Sequence, residues 1–443
     1  MSPLGRLRTK DQAAGPRLVV AAMTVLQIGW LAAIVLTGAS PFTARIALAG
    51  LMALAAAAAA LMAPAAWLDR GAVVGRWFAA RDRRMLALIT AVVVVAGGIY
   101  VFHTNLSFSD EGQIAAIAQL ISDEGFGSFF RRFSTLPWLG DRHPPLMPLL
   151  YGLVARLVGD HLVVLRLTDL LLFALPAALL CWRLAIRLVG RRAAALAWPV
   201  FVAMPYFLRL GAVAMLDMAL VTWFTLALLM MVWLEERPRL GLGLRIGLVA
   251  GVGLLTKYHM ALLAPALAAW LIVRRPGAAV WRALGVASVV GLAIVAAWFA
   301  VASQLGASSV QTAQVLRHVT FVSRTILGLQ FALETVVTRL PSGLGAFTLP
   351  LLAVGVWHLW RQGGMASRTV LGVVGAVWLP LLVTVPDPRY FAPTFPLLAA
   401  AAGAWLASVD VRWRVRLLAV TVLNAVATWG VFWDWQRQAL LVL

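Results

Sequence analysis

A few short stretches of this chain carry side chains that could do chemistry. The stretch SFSDEGQ, residues 107–113, sets Asp110 beside Glu111 just past the apolar run Met85–Val101. Adjacent carboxylates can accept a proton or orient a polar substrate. A structural account also exists: Ser109 would cap the following helix, and acids in its first turn suit its dipole. His143 in DRHPP, Asp217 in AMLDMAL and His318 within 304–345 are further polar groups in or beside apolar sequence. Each could position a substrate or serve as local structure. Lys257 in LLTKYHM is one of two lysines, the other being Lys10, in a chain that otherwise uses arginine. A snorkelling side chain would explain it, and so would a dedicated role. Arg389 and Tyr390 in PDPRYF join two apolar spans. A Pro/Asp turn is routine there, but a guanidinium at a span entrance also suits gripping a phosphate. Glu111 with His318 could hold a divalent ion, although no ligand spacing supports a metal.

The elements that position these groups follow from composition. The chain has 443 residues, is 62% hydrophobic and only 12% charged, with mean hydropathy +0.91. A soluble core cannot use that much apolar surface, so the sequence reads as an all-α polytopic membrane protein. Runs long enough to span a bilayer recur along its length and predict about 13 transmembrane helices. The net charge of +20 reads as topology signals in cytoplasmic loops and not as a nucleic-acid surface. The preference for Arg fits a high-GC, bacterial genome. A single cysteine, Cys181, excludes an internal disulfide.

The run Leu18–Thr37 is too long for the core of a signal peptide and predicts a retained anchor behind a basic cytoplasmic tail. The segment 144–158 is short for a span and contains Arg156. Its large apolar residues recur at helical spacing, which predicts a helix lying in the interface. If it did cross, every later basic loop would face outward, against the positive-inside rule. With a cytoplasmic N-terminus most Lys and Arg fall inside, most acids outside, and two large loops, 104–161 and 304–345, face out. All the groups named above then share the external face of the plasma membrane. Ile114, Ile117, Ala118 and Ile121 should line one side of a second surface helix. No phosphate-binding or dinucleotide glycine loop occurs, so synthesis at that face needs a lipid-carried, pre-activated donor.

The carboxylate pair after a span, then HPPLMPLLYGLVARLVGD, AMLDMALVTWFTLAL, GLLTKYHMALLAPALA and RYFAPTFPLLA, stand in an order that resembles glycosyltransferases of the GT-C fold. The likeness is to the branch holding the protein O-mannosyltransferases and the lipid A aminoarabinose transferase, and it covers residues 85 to 410. It implies a GT-C core over 85–443, with 1–84 as a cytoplasmic tail and two additional helices. By resemblance Asp110 is the general base and Glu111 the second acid. His143, Asp217, Lys257 and Arg389 match the family's HPP element, outer-face aspartate, TK turn and late arginine. The chain departs from the pattern before MLD, where Val213 and Ala214 stand and Arg209 lies further back, and after TK, where Tyr258 replaces glycine.

The implied reaction moves a sugar from a polyprenyl phosphate to a lipid, glycan or protein hydroxyl, with inversion. Lys257, Arg389 and Tyr390 would hold the donor phosphate. Asp217, His143 and His318 would position the substrates, and Arg209 is one candidate partner for Asp217. No cofactor is required by this chemistry, although a divalent metal stays open. The other class compatible with the pattern is a transporter or flippase of lipid-linked sugars. Internal repeats and polar groups at the midplane would favour it, and neither is found.

Overall fold

The computed structural model describes residues 16–25, 28, 54–55, 58–102, 109–136, 143–306, 343–345, 348–383, 387–423 and 425. Among these residues the chain is helical, with no strand. Helices α1 (Ala65–Ala79) and α2 (Asp82–Val101) precede two shorter ones, α3 (Ser109–Glu124) and α4 (Phe126–Arg132). After them come α5 (Leu146–Val158), the long α6 (Leu162–Val189), α7 (Arg191–Val202) and α8 (Pro205–Leu210). The second half holds α9 (Asp217–Glu236), α10 (Leu240–Thr256), α11 (Leu263–Arg274) and α12 (Ala278–Gln304). Then follow α13 (Thr348–Gln362), α14 (Met365–Val383) and α15 (Phe395–Ser408).

Six described helices are long and apolar enough to cross a bilayer. They confirm a membrane protein, while the expected total of about 13 is met only in part. Shorter apolar helices, including α10 and the stretch Tyr258–Arg274, account for some of the difference. About half of the first two expected spans lies outside the described residues. Helices α9 and α15 are apolar on every side and buried on nearly every side, as expected of helices at the centre of a bundle. Helix α12, equally apolar, is mostly exposed, so it sits at the periphery with its apolar surface free for lipid. It packs on α10 across Gly243 and Gly247, where a Cβ would collide with the carbonyls of Ala283 and Ala287. Small residues at that spacing let two backbones approach closely.

Helices α3 and α5 form where the sequence implied helices. Ile114, Ile117, Ala118 and Ile121 of α3 are buried, and α3 packs on α5, with Ile121 filling the space beside Gly152. Helix α5 has 13 residues, about 20 Å of rise, too short for a bilayer core of about 30 Å. Its faces are arranged for an apolar surrounding. Leu153, Leu157 and Val158 point outward, while Met147, Tyr151, Gly152 and Ala155 face the protein.

Breaks between helices expose the polar ends. Pro265 lies in the first turn of α11, where its missing N–H is harmless. Inside one continuous helix it would clash with the carbonyl four residues back. Helix α10 stops earlier still, at Thr256, and Lys257 is extended, at φ −156° and ψ 129°. Between α8 and α9 the chain runs through a non-helical turn, residues 211–216, that is buried throughout. Buried backbone of this kind must find partners outside the helical ladder. Two side chains from α3 and α5 supply them.

Candidate active site

Glu111 is one of those two. Its Oε1 accepts the backbone N–H of Ala214 at 3.0 Å. Both of its oxygens are also gripped by Arg166 of α6, each at 2.8 Å. Arg166 reaches the carbonyl of Val101 at 3.5 Å as well, and both members of the pair are fully buried. Tyr151 of α5 is the second, its hydroxyl 2.9 Å from the Met215 carbonyl and 2.9 Å from Asp169 Oδ1. Helices α2, α3, α5 and α6 are thereby tied to the turn that leads into α9.

This arrangement separates the two adjacent acids. Glu111 has no room to meet a substrate. Asp110, one residue earlier on α3, keeps 31% of its side chain exposed. Its Oδ2 accepts a hydrogen bond from Arg389 Nη1 at 3.2 Å. Helix propensity could not divide the pair, because both acids suit the first turn of a helix; only the resemblance set Asp110 apart. The division comes from helical geometry, which turns neighbours about 100° apart.

Arg389 belongs to a tight turn, Pro388–Thr394, ahead of α15. Asp387 caps this turn, accepting the Arg389 backbone N–H at 3.0 Å and its Nη2 at 3.0 Å. Burial pushes the Asp387 carboxyl up. The charge and hydrogen bonds of Arg389, with Lys257 further off, outweigh that and hold it at about 2. A carboxyl whose folded value lies below its ordinary 3.8 stabilises the fold fully above that range. The contribution fades as the pH falls and is lost below about 2. Asp387→Asn is therefore expected to flatten the acid limb of a stability profile taken by thermal unfolding between about pH 2 and 5. An unchanged limb would show that the cap carries no such load.

Lys257 Nζ donates to Asp217 Oδ1 at 2.6 Å. The lysine is 4% exposed and the aspartate 1%, so the snorkelling reading is overturned. Arg209 is also displaced as the partner of Asp217. It lies in α8 and is buried, which brings its guanidinium down to about 10, with the like charge of Arg389 adding to the effect. Lys257 Nζ stands 4.9 Å from the centre of the Tyr390 ring, a cation–π distance. The His259 ring stacks on Tyr390 at 3.7 Å between centroids. Asp217 Oδ2 is buried with no hydrogen-bond donor among the described residues.

The structure thus gathers Asp110, Asp217, Lys257, Arg389 and Tyr390 into one contiguous cluster, and adds His259 and Asp387. His143 is half-buried just ahead of α5, beside buried Pro144 and Pro145. His318 lies outside the described residues, as do Arg317, Arg324 and Glu334. Among the described residues no group of three or more His, Cys, Asp or Glu converges as a metal site would require. The suggested metal pairing of Glu111 with His318 conflicts with the Arg166 guanidinium that already occupies the Glu111 carboxylate. Sequence reading missed Arg166 and Asp169. The available signal was an ionisable residue inside an apolar span, in LVVLRLTDLLLF, which is expensive unless partnered.

The model of the family described as dolichyl-phosphate-mannose-protein mannosyltransferase matches residues 142–303. No curated protein matches the chain. Among solved structures, ArnT from Cupriavidus metallidurans bound to undecaprenyl phosphate is 21% identical with TM-score 0.57, covering 74% of this chain and 61% of its own. The same protein in the apo state is 22% identical with TM-score 0.59, at 74% and 60% coverage. The Archaeoglobus fulgidus oligosaccharyltransferase in complex with Zn and sulfate is 15% identical with TM-score 0.51, at 76% and 53% coverage. The chain therefore spans about three-fifths of the first protein and about half of the second. At these identities the likeness concerns architecture, and the conclusion is that this chain has the GT-C fold of those membrane glycosyltransferases.

Proposed function

We propose that this chain is an integral membrane glycosyltransferase. It would move a sugar from a polyprenyl-phosphate donor to an acceptor hydroxyl at the external membrane face. The observation that carries the reading is the contact of Asp110, partly exposed, with Arg389, itself beside the Lys257–Tyr390 cluster. A group able to take a proton thus stands within hydrogen-bond reach of a group able to hold a phosphate. Undecaprenyl phosphate bound to a protein of the same fold supports the donor class.

In this mechanism the donor phosphate binds Arg389 and competes with Asp110 for its guanidinium. Asp110, released, accepts the proton of the acceptor hydroxyl as that oxygen attacks the anomeric carbon. The bond from that carbon to the phosphate oxygen breaks, and the phosphate leaves with the electron pair. Arg389 and Lys257 meet the charge that develops on it. One in-line attack inverts the anomeric centre. Glu111, clamped by Arg166, holds the first turn of α3 so that Asp110 faces the site. The open oxygen of Asp217 would accept from a hydroxyl of the sugar or acceptor, and His143 and His318 would position the substrates. No step needs a metal. Residues 85–443 form the transferase core with 1–84 as an addition, and α3 and α5 lie along the outer surface.

The test is mass spectrometry of polyprenyl-phosphate sugars and envelope glycans in cells with and without the gene, complemented by wild type or by Asp110→Asn. One donor should accumulate and one glycan shrink, and the Asn variant should not restore them. Unchanged pools, or full complementation by the variant, would sink the proposal and move transport of lipid-linked sugars to the front.

A further inference from the structure

The hydrogen bonds at Tyr151 leave one proton unaccounted for. A phenol has a single proton to give. Tyr151 Oη nevertheless lies 2.9 Å from Asp169 Oδ1 and 2.9 Å from the Met215 carbonyl oxygen. A carbonyl oxygen only accepts, and so does an ionised carboxylate. With Asp169 ionised, one of the two contacts would press two acceptor oxygens together with no proton between them. All three residues are buried, so bulk solvent could not relieve the misfit.

Charge gives the same answer. The charged groups that face Asp169 are Glu111 and Asp217, both acids. Their cations are already engaged. Arg166, one turn back on α6, holds both oxygens of Glu111, and Lys257 holds Asp217. Asp169 Oδ2 is buried with no hydrogen-bond partner among the described residues. A third carboxylate charge here would therefore be buried without a counter-ion, which is expensive inside an apolar span. A proton on Asp169 removes both misfits. The acid O–H donates from Oδ1 to Tyr151 Oη, and the Tyr151 O–H donates to the Met215 carbonyl. Oδ2 is then a neutral carbonyl oxygen and no longer part of an unpaired charge.

We propose that Asp169 stands in the working protein as a neutral, protonated acid and is a positioning residue for the transferase site. Through Tyr151 it holds the carbonyl of Met215, two residues before Asp217. Glu111 holds the N–H of Ala214 in the same turn. This turn has no helical ladder to fix it, so the two anchors set where Asp217 and its Lys257 partner stand. Because Asp169 is neutral, it fixes the turn without adding a negative charge beside a site that receives a phosphate. That consequence rests on the transferase reading; the proton does not.

The experiment is infrared difference spectroscopy of the purified full-length protein at neutral pH, wild type against Asp169→Asn. Wild type should show the carbonyl stretch of one protonated carboxylic acid that the variant lacks, and the band should shift in heavy water. Tyr151→Phe removes the acceptor of the acid proton and should move the band to higher frequency without abolishing it. An ionised-carboxylate band in its place would overturn the proposal. If the Asn variant fails to fold, carbon-13 labelling of aspartate carboxyls and the shift in Tyr151→Phe assign the band in its stead. This readout needs no sugar transfer, so it fails or holds separately from the transferase reading. Kinetics then read the positioning. The Asn amide can donate to Tyr151 as the acid does, so Asp169→Asn should keep kcat. Tyr151→Phe should lower kcat by about 10–100-fold with KM little changed. Equal kcat for wild type and Tyr151→Phe would overturn the positioning role.

Discussion

Asn in place of Asp110 is expected to lower the turnover of sugar transfer by about 10²–10⁴-fold, with little change in stability. The side chain keeps its size and can still accept a hydrogen bond from Arg389, but it can no longer take up the acceptor's proton. The Asp110–Arg389 pair is partly exposed on both sides, and pairs of that kind contribute about 0–1 kcal/mol. The loss should therefore appear in kcat, while donor binding holds or tightens because Arg389 is freed for the phosphate. The check is steady-state transfer by purified protein beside thermal unfolding of the same samples. Near wild-type turnover would remove Asp110 as the base. Glu111→Gln should give the opposite pattern, because it strands the fully buried Arg166 and weakens the fold first.

The second large effect concerns Lys257 and Asp217. Removing either partner leaves an uncompensated buried charge, which typically costs about 3–5 kcal/mol. Lys257→Met and Asp217→Leu should each lower the midpoint of unfolding sharply. The double variant should recover most of the loss, since replacing a whole buried pair by apolar groups is close to neutral. Activity then separates structure from chemistry. If Lys257 meets the phosphate, the stable double variant remains inactive. Recovery of transfer together with stability would reduce the pair to a structural strut.

Helix positions were legible where one property decided them. The spacing of Ile114, Ile117, Ala118 and Ile121 fixed the inner face of α3. Much of the cluster was also legible, because Asp110, Asp217, Lys257 and Arg389 are polar groups at the ends of apolar runs. What sequence could not supply is pairing between distant segments. Arg166 meets Glu111 across 55 positions and Lys257 meets Asp217 across 40. Nothing local prefers Lys257 over Arg209 as the partner of Asp217; the packing of α10 against α9 makes that choice. The two faces of α5 could not be told apart by hydrophobicity, because exposed Leu153, Leu157 and Val158 are as apolar as the buried side with Tyr151, Gly152 and Ala155.

The spacing of the two buried pairs has a consequence for how the chain is made. Glu111 leaves the ribosome before Arg166, so the arginine finds its carboxylate already waiting when it reaches the membrane. Asp217 arrives 40 residues ahead of Lys257, and at about 5–20 residues per second it waits about 2–8 s for a counter-charge. Biogenesis therefore assembles the carboxylate side of the cluster first. The cation at Lys257 comes later, and Arg389 last of all, when the scaffold that must receive it is already in the bilayer.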